Sequence, residues 1–287
     1  MQGAMQSHTN LLQELVSPKR SPIEEPVLII VAHPDDETIG IGAQLPRLSQ
    51  AILIHVTDGA PLDLVDAHRA GFETASGYAA ARRAELNSAL RVGGSHSITR
   101  IGLNISDQET PFHLREITRS LKEIIGQFKP THLFTHPYEG GHPDHDTIAF
   151  CVACASQEIS PPPRIIEMAF YHRGARKLRT GHFLSSQCQG GGSHQRQPVW
   201  VATLGPAETE RKAKMYSCFA TQSNVLSAFP RDTECFRFAP KYDFSKTPHP
   251  GILHYETLRF SMNGARLCQL MEDAVRSRQP KEKASAF

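Results

Sequence analysis

The stretch Val27-Leu-Ile-Ile-Val-Ala32 is an unbroken aliphatic run that stops abruptly at His33-Pro34-Asp35-Asp36-Glu37. A short run rich in β-branched side chains and closed by a proline makes a strand buried on both faces, the kind found inside parallel sheets. Parallel strands need long crossovers, usually helical, so this one run points to an α/β architecture. It also locates chemistry. In open α/β sheets, ligands bind outside the carboxyl ends of the strands, where one imidazole and three carboxylates of this segment project.

The rest of the chain continues the alternation. Residues 51–57 read as a second buried strand, closed by the turn Asp58-Gly59-Ala60-Pro61, in which Asp58 either touches a ligand or shapes the turn. Residues 78–92 have helical spacing ended by Gly93-Gly94, 97–103 form a third strand, and 112–128 form a helix stopped by Lys129-Pro130. A short strand at 131–136 precedes a second polar burst, Pro137-Tyr-Glu-Gly-Gly-His-Pro-Asp-His-Asp146. A helix at 147–157 and a strand at 164–171 follow. Residues 177–198, rich in glycine and glutamine, read as a long loop or flexible hairpin. Beyond them a strand at 200–204, a helix at 206–219 and a helix at 263–276 frame an irregular C-terminal extension.

The expected fold is α/β, a mostly parallel sheet flanked by helices. Residues 25–276 read as a single domain, with 1–24 as a flexible arm or, on the amphipathic hint of Leu11-Leu12 and Leu15-Val16, a short helix, and 277–287 as a frayed tail.

Charge and composition exclude several classes. Thirty-one basic against 29 acidic residues leave no field for nucleic acid or an anionic membrane. No stretch approaches the ~18 apolar residues of a membrane span, and the polar N-terminus has no apolar leader, so the expected setting is cytoplasmic. Six cysteines without a repeating framework fit reduced thiols, with Cys151 and Cys154 as packing residues of a helix. Gly40-Ile41-Gly42 lacks the third glycine of a dinucleotide fingerprint and follows a turn whose carboxylates would repel a pyrophosphate.

Both polar bursts follow buried strands, so the sheet brings His33, Asp35, Asp36, His142, Asp144 and His145 to one edge. Two imidazoles and a carboxylate make a full protein ligand set for one catalytic zinc. His33 and Asp36 can bind an ion from one tight turn, and His145 completes the set. Asp35 is then free as general base, and His142 can stabilise an oxyanion or protonate a leaving amine with Asp144 orienting it. Zinc suits this mixed set; Fe²⁺ is the other candidate. Arg82 and Glu85, three residues apart on a helix, read on their own as an ion pair of little value.

Val31-Ala-His-Pro-Asp-Asp-Glu37 and Gly141-His-Pro-Asp-His-Asp146 resemble the two signature motifs of the LmbE-like family, which includes the PIG-L deacetylases. Val56-Thr-Asp-Gly-Ala60, Arg82-x-x-Glu85 and Lys214-Met-Tyr-Ser-Cys-Phe-Ala-Thr-Gln222 are similar to its other motifs. The resemblance implies a Rossmann-like sheet and zinc-dependent removal of an N-acetyl group from an N-acetylglucosamine-like sugar or conjugate. It implies His33, Asp36 and His145 as ligands, Asp35 as base, His142 backed by Asp144 as acid, and Arg82 as a substrate contact. Some members place a tyrosine two residues before the His142 position; here Gly140 stands there, with Tyr138 as a substitute. The competing readings are a hydrolase of a non-sugar acyl amide and a metal-stabilised sugar-binding module without turnover.

Overall fold

The aliphatic run at 27–31 lies in the interior of a seven-stranded sheet, with each of its residues buried. The computed structural model describes residues 10–174, 177–185, 198–258 and 260–277. In chain order the elements are α1 (Asn10–Val16), β1 (Val27–Val31), α2 (Asp36–Ile41), β2 (Ala51–Pro61), α3 (Val65–Arg69), α4 (Ala75–Gly93), β3 (Thr99–Asp107) and α5 (Leu114–Phe128). They continue with β4 (His132–Thr135), α6 (Pro143–Gln157), β5 (Arg164–Met168), β6 (Tyr171–Arg173), β7 (Leu178–Thr180) and β8 (Trp200–Thr203). The last four are α7 (Pro206–Tyr216), α8 (Ser223–Leu226), β9 (Thr233–Phe238) and α9 (Gly264–Arg276).

The sheet order is β3-β2-β1-β4-β5-β9-β8. The first five strands are parallel; β9 and β8 continue the sheet antiparallel. The strand order reverses between β1 and β4, which is the topological switch point where such sheets open a crevice. Both polar bursts leave the sheet there.

Alternation along β1 builds two apolar layers. Val27, Ile29 and Val31 face the layer of α1, α2, α4 and α7, whereas Leu28 and Ile30 face α5, α6 and α9. Cys151 belongs to the second layer, with its thiol directed at the Leu114 carbonyl. No helix among the described residues is long and apolar enough to cross a membrane.

Three sequence expectations are corrected. Residues 10–24 are not a free arm: Leu11, Leu12 and Leu15 of α1 are fully buried in the first layer. Arg47 reaches the carbonyls of Glu14 and Leu15, and Arg20 binds Glu208 and the Thr203 carbonyl. The Leu11-Leu12 and Leu15-Val16 pairs thus mark a docked turn of helix. Residues 1–9 and 278–287 lie outside the described residues, as do 186–197 of the expected loop, while its start forms β7 against β6. The second correction is in β2, which does not stop at Thr57 but continues to Pro61 through register shifts against β3. Gly59 makes that possible: its φ is +71°, and a Cβ there would lie 2.9 Å from the Pro34 ring and 3.1 Å from the Arg82 guanidinium carbon. The third is β3, which extends past Leu103 to Asp107 and delivers that carboxylate to the crevice.

The burial of α1 sets a measurable cost. Leu15→Ala is expected to destabilise the protein by about 2–5 kcal/mol in urea unfolding, against nearly none for a free arm.

Candidate active site

The turn after β1 is tightly specified. Asp35 caps α2 with φ 152° and ψ −25°, a backbone conformation rare for a residue with a side chain. Glu37 holds the turn from beneath, its Oε2 accepting the Asp35 N–H (3.1 Å) and facing His55 Nε2 (3.0 Å). Arg82 holds it from above: Nη2 donates to the Pro34 carbonyl (3.0 Å) and to Asp35 Oδ2 (3.2 Å), and Nη1 to the Gly59 carbonyl (3.2 Å). Arg82 lines the cavity yet is only 3% exposed; its Nη atoms are committed to the protein and position Asp35, while its buried Nε has no hydrogen-bond partner. Burial, opposed by Arg82, pushes the Asp35 carboxyl up to about 8.

Glu85 does not pair with Arg82. It accepts from the Thr221 N–H (2.9 Å) and hydroxyl (2.6 Å), tying α4 to the 214–222 element.

The second burst forms the first turn of α6, which begins at Pro143 rather than at Thr147. His142 is its N-cap, and its Nδ1 accepts the Asp144 N–H at 3.2 Å. The ring proton therefore sits on Nε2, 3.9 Å from Asp107 Oδ1. Burial and the nearby His33 hold the His142 pKa well below the ordinary imidazole value, so the ring is neutral.

Asp36 stands at the centre. Its Oδ2 accepts the His33 N–H (2.7 Å) and lies 3.3 Å from His33 Nδ1, while Oδ1 lies 3.3 Å from His145 Nε2. His33 Nε2 is 3.1 Å from both Asp107 Oδ1 and Asp144 Oδ2. Those two acceptors hold a proton on Nε2 and make Nδ1 the nitrogen that a metal ion would take by displacing its proton. Burial pulls the His33 pKa down, but Asp107, Asp144 and Asp36 outweigh it and hold the group well above the ordinary value.

The donor set fits a metal ion. Ligand atoms from His33, Asp36 and His145 lie within 4.8 Å of one another, and the buried His145 Nε2 has no hydrogen-bond partner. A second cluster, His33, Asp107, His142 and Asp144, meets the same spacing. There, however, Asp144 is already engaged by the Thr110 hydroxyl (2.6 Å) and the Gln108 N–H (2.8 Å), besides His33. Its role is to hold the His33 ring. The expectation that Asp144 orients His142 is thereby corrected, since Oδ2 lies 4.0 Å from His142 Nδ1, which already accepts a backbone proton.

The structure thus brings His33, Asp35, Asp36, Arg82, His142 and His145 around one cavity of about 360 Å³, with Asp144 directly behind. Sequence reasoning missed Asp107, whose signal was the alternating pattern running on past Leu103. It also missed Tyr171 and His254, which line the cavity from outside both motifs. Tyr138 does not replace a tyrosine at position 140: its hydroxyl donates to the Lys246 carbonyl (2.9 Å) away from the cavity. Gly140 itself has φ +72°, with Leu253 2.7 Å from where a Cβ would stand. Asp58 shapes the bulge, accepting the Ala60 N–H at 2.9 Å.

With this geometry in view, residues 28–156 match the family model described as PIG-L, GlcNAc-PI de-N-acetylase. This stretch is of the PIG-L family. Its bounds run from β1 to the end of α6 and include all seven of the predicted site residues. "Uncharacterized deacetylase YaiS" of Escherichia coli (strain K12) is 29% identical over 141 residues, covering 45% of this chain and 67% of that protein. Among solved structures, a deacetylase of teicoplanin biosynthesis aligns with TM-score 0.57 at 17% identity, over 76% of this chain and 99% of that one. The A40926 pseudoaglycone deacetylase Dbv21 aligns with TM-score 0.56 at 18% identity, over 77% and 99%. At these identities the structural likeness establishes a shared fold. The PIG-L stretch carries the polar cluster, while Tyr171, Leu178, Val225, Phe229, His254 and Phe260, which wall the cavity, come from beyond it.

The hydrogen bond from His33 to Asp144 gives a test. Asp144→Asn is expected to lower divalent-metal affinity about 10–100-fold in a chelator competition while leaving the fold intact.

Proposed function

We propose that this chain is a metal-dependent hydrolase that removes the N-acetyl group from an N-acetylglucosamine-like amino sugar or its conjugate. His33 Nδ1, Asp36 and His145 Nε2 would hold one divalent ion, with zinc favoured over iron for this mixed imidazole and carboxylate set. The observation that carries the reading is the buried, unpartnered His145 Nε2 at 3.3 Å from Asp36, opposite a His33 ring whose other nitrogen is fixed by two carboxylates.

A bound ion would supply Lewis acidity to a water and to the acyl carbonyl. The remaining work falls to side chains. Asp35, held by Arg82, takes the proton from the attacking water as its oxygen adds to the acyl carbon. His142, neutral and protonated on Nε2, donates a hydrogen bond to the developing oxyanion, and Asp35 passes the proton taken from water to the leaving nitrogen. The carbon–nitrogen bond breaks, giving acetate and a free amine.

The sugar part of the reading rests on the family description, GlcNAc-PI de-N-acetylase. Specificity beyond the acyl group would come from the walls contributed outside the PIG-L stretch, because loops and late elements carried on a rigid sheet are where recognition varies. A cytoplasmic setting suits six cysteines without a repeating framework.

Protein purified without added metal is expected to carry about one zinc per chain and to release primary amine from N-acetylglucosamine glycosides or oligomers. Asp35→Asn should retain the metal and lose roughly 10²–10⁴-fold in kcat, whereas His145→Ala should lose the metal itself. Undiminished turnover in Asp35→Asn would remove the base assignment. Failure to take up a divalent ion on reconstitution would overturn the whole reading.

A further inference from the structure

A second cavity, of about 850 Å³, lies outside the catalytic crevice, between α6, α9, β5 and the segment 239–245. It is larger than the catalytic cavity and shares no lining residue with it. Its deepest polar residues are Thr135 and His136 at the end of β4, at most 1% exposed, and each has an unpartnered buried side-chain atom, Thr135 Oγ1 and His136 Nδ1. Two buried polar atoms without partners beside a cavity are a cost that a bound molecule removes.

The hydrogen bonding of His136 fixes what that molecule offers. His136 Nε2 accepts the Ala32 N–H at 2.9 Å, so the neutral ring carries its proton on Nδ1. The unmet group is thus a donor, and the threonine hydroxyl beside it can donate too. The third buried polar group, Glu167, has its oxygens taken by Arg237 Nε (2.7 Å) and the Tyr242 hydroxyl (2.6 Å), so it offers no binding to a cation. Its carboxylate opposes an anion instead. Phe150, Tyr242 and Phe244 supply aromatic walls, and the rim carries Lys241 and Arg276 against Asp243 and Glu272, a balanced set with no net field.

We propose that this cavity is a second small-molecule site, for an uncharged ring-bearing compound whose carbonyl or hydroxyl oxygen accepts from His136 and Thr135. The cavity mixes aromatic and aliphatic walls with polar residues, and a few convergent polar groups fix orientation in such sites. The His136 ring stacks on His145 at 3.8 Å, so the second site and the catalytic site share a wall. The proposal stands independently of the deacetylase reading.

Benzamide and its anionic isostere benzoate are the probes, used on the full chain in calorimetric titration. Benzamide is expected to bind in the millimolar range, with benzoate at least about tenfold weaker because of Glu167. Ala153→Phe, which fills the cavity from α6, should abolish benzamide binding, and Thr135→Val should weaken it about five- to tenfold. Metal content should not change in Ala153→Phe. If that variant fails to fold, alkylation of Cys154, a half-buried lining residue, gives the second measurement in the unaltered protein. Benzamide should slow its modification and leave that of Cys218 unchanged. Absence of benzamide binding, meaning that water alone satisfies the two donors, overturns the proposal. So does binding that survives Ala153→Phe, or benzoate binding as well as benzamide.

Discussion

Asp36 is the group on which the arrangement of the crevice depends. It is 2% exposed, accepts the His33 backbone N–H, and lies within 3.5 Å of nitrogens from His33, His136 and His145. A carboxylate in so little water is costly unless positive or proton-donating groups surround it. Here the His33 N–H donates to it, and imidazole nitrogens from the ends of two strands and the first turn of a helix surround it. Burial alone would raise the Asp36 pKa, but His145 and His136 outweigh it and hold the carboxyl well below its ordinary range. The consequence is a pair of imidazole nitrogens on either side of a fixed anion.

That constraint explains the surrounding turn. His33 and Asp36 can meet only if the chain reverses within three residues of β1, which places Asp35 in a rare backbone conformation. The strain is held by Glu37 below and Arg82 above. Arg82 in turn needs the Pro34 and Gly59 carbonyls, and Gly59 has the positive φ that brings its backbone up to the guanidinium. Backbone strain, bulge and buried arginine are therefore consequences of one local requirement.

The parallel half of the sheet and the two polar bursts were legible in the sequence because each rests on local pattern. An aliphatic run closed by His-Pro announces a buried strand end, and two such ends at one switch point bring His33, Asp36 and His145 together. What was not legible depends on long-range packing. The leucines of α1 give only one helical turn, and the surface that covers them comes from β8 and the main layer. Asp107 was missed because the strand was closed at Leu103, although the alternation of Ile101, Leu103 and Ile105 runs on beside a bulged β2. The role of Asp144 turned on a proton: once His142 Nδ1 accepts a backbone N–H, the Asp144 carboxylate has only His33 left to hold.

The same division runs through the whole molecule. The clustered imidazoles and carboxylates all lie between β1 and α6, at the ends of parallel strands, of which β1 and β4 are buried throughout. The cavity walls arise from β6 onward, where hairpins, short helices and the antiparallel strands succeed one another with few long apolar runs. A short aliphatic strand can adopt only one register without exposing its apolar side chains, so its ends are fixed to within the reach of a hydrogen bond. An irregular wall has no such register. Chemistry that depends on ångström-scale distances is thus anchored to the rigid strands. Recognition, which tolerates repacking, falls to the part of the chain whose sequence pattern says least.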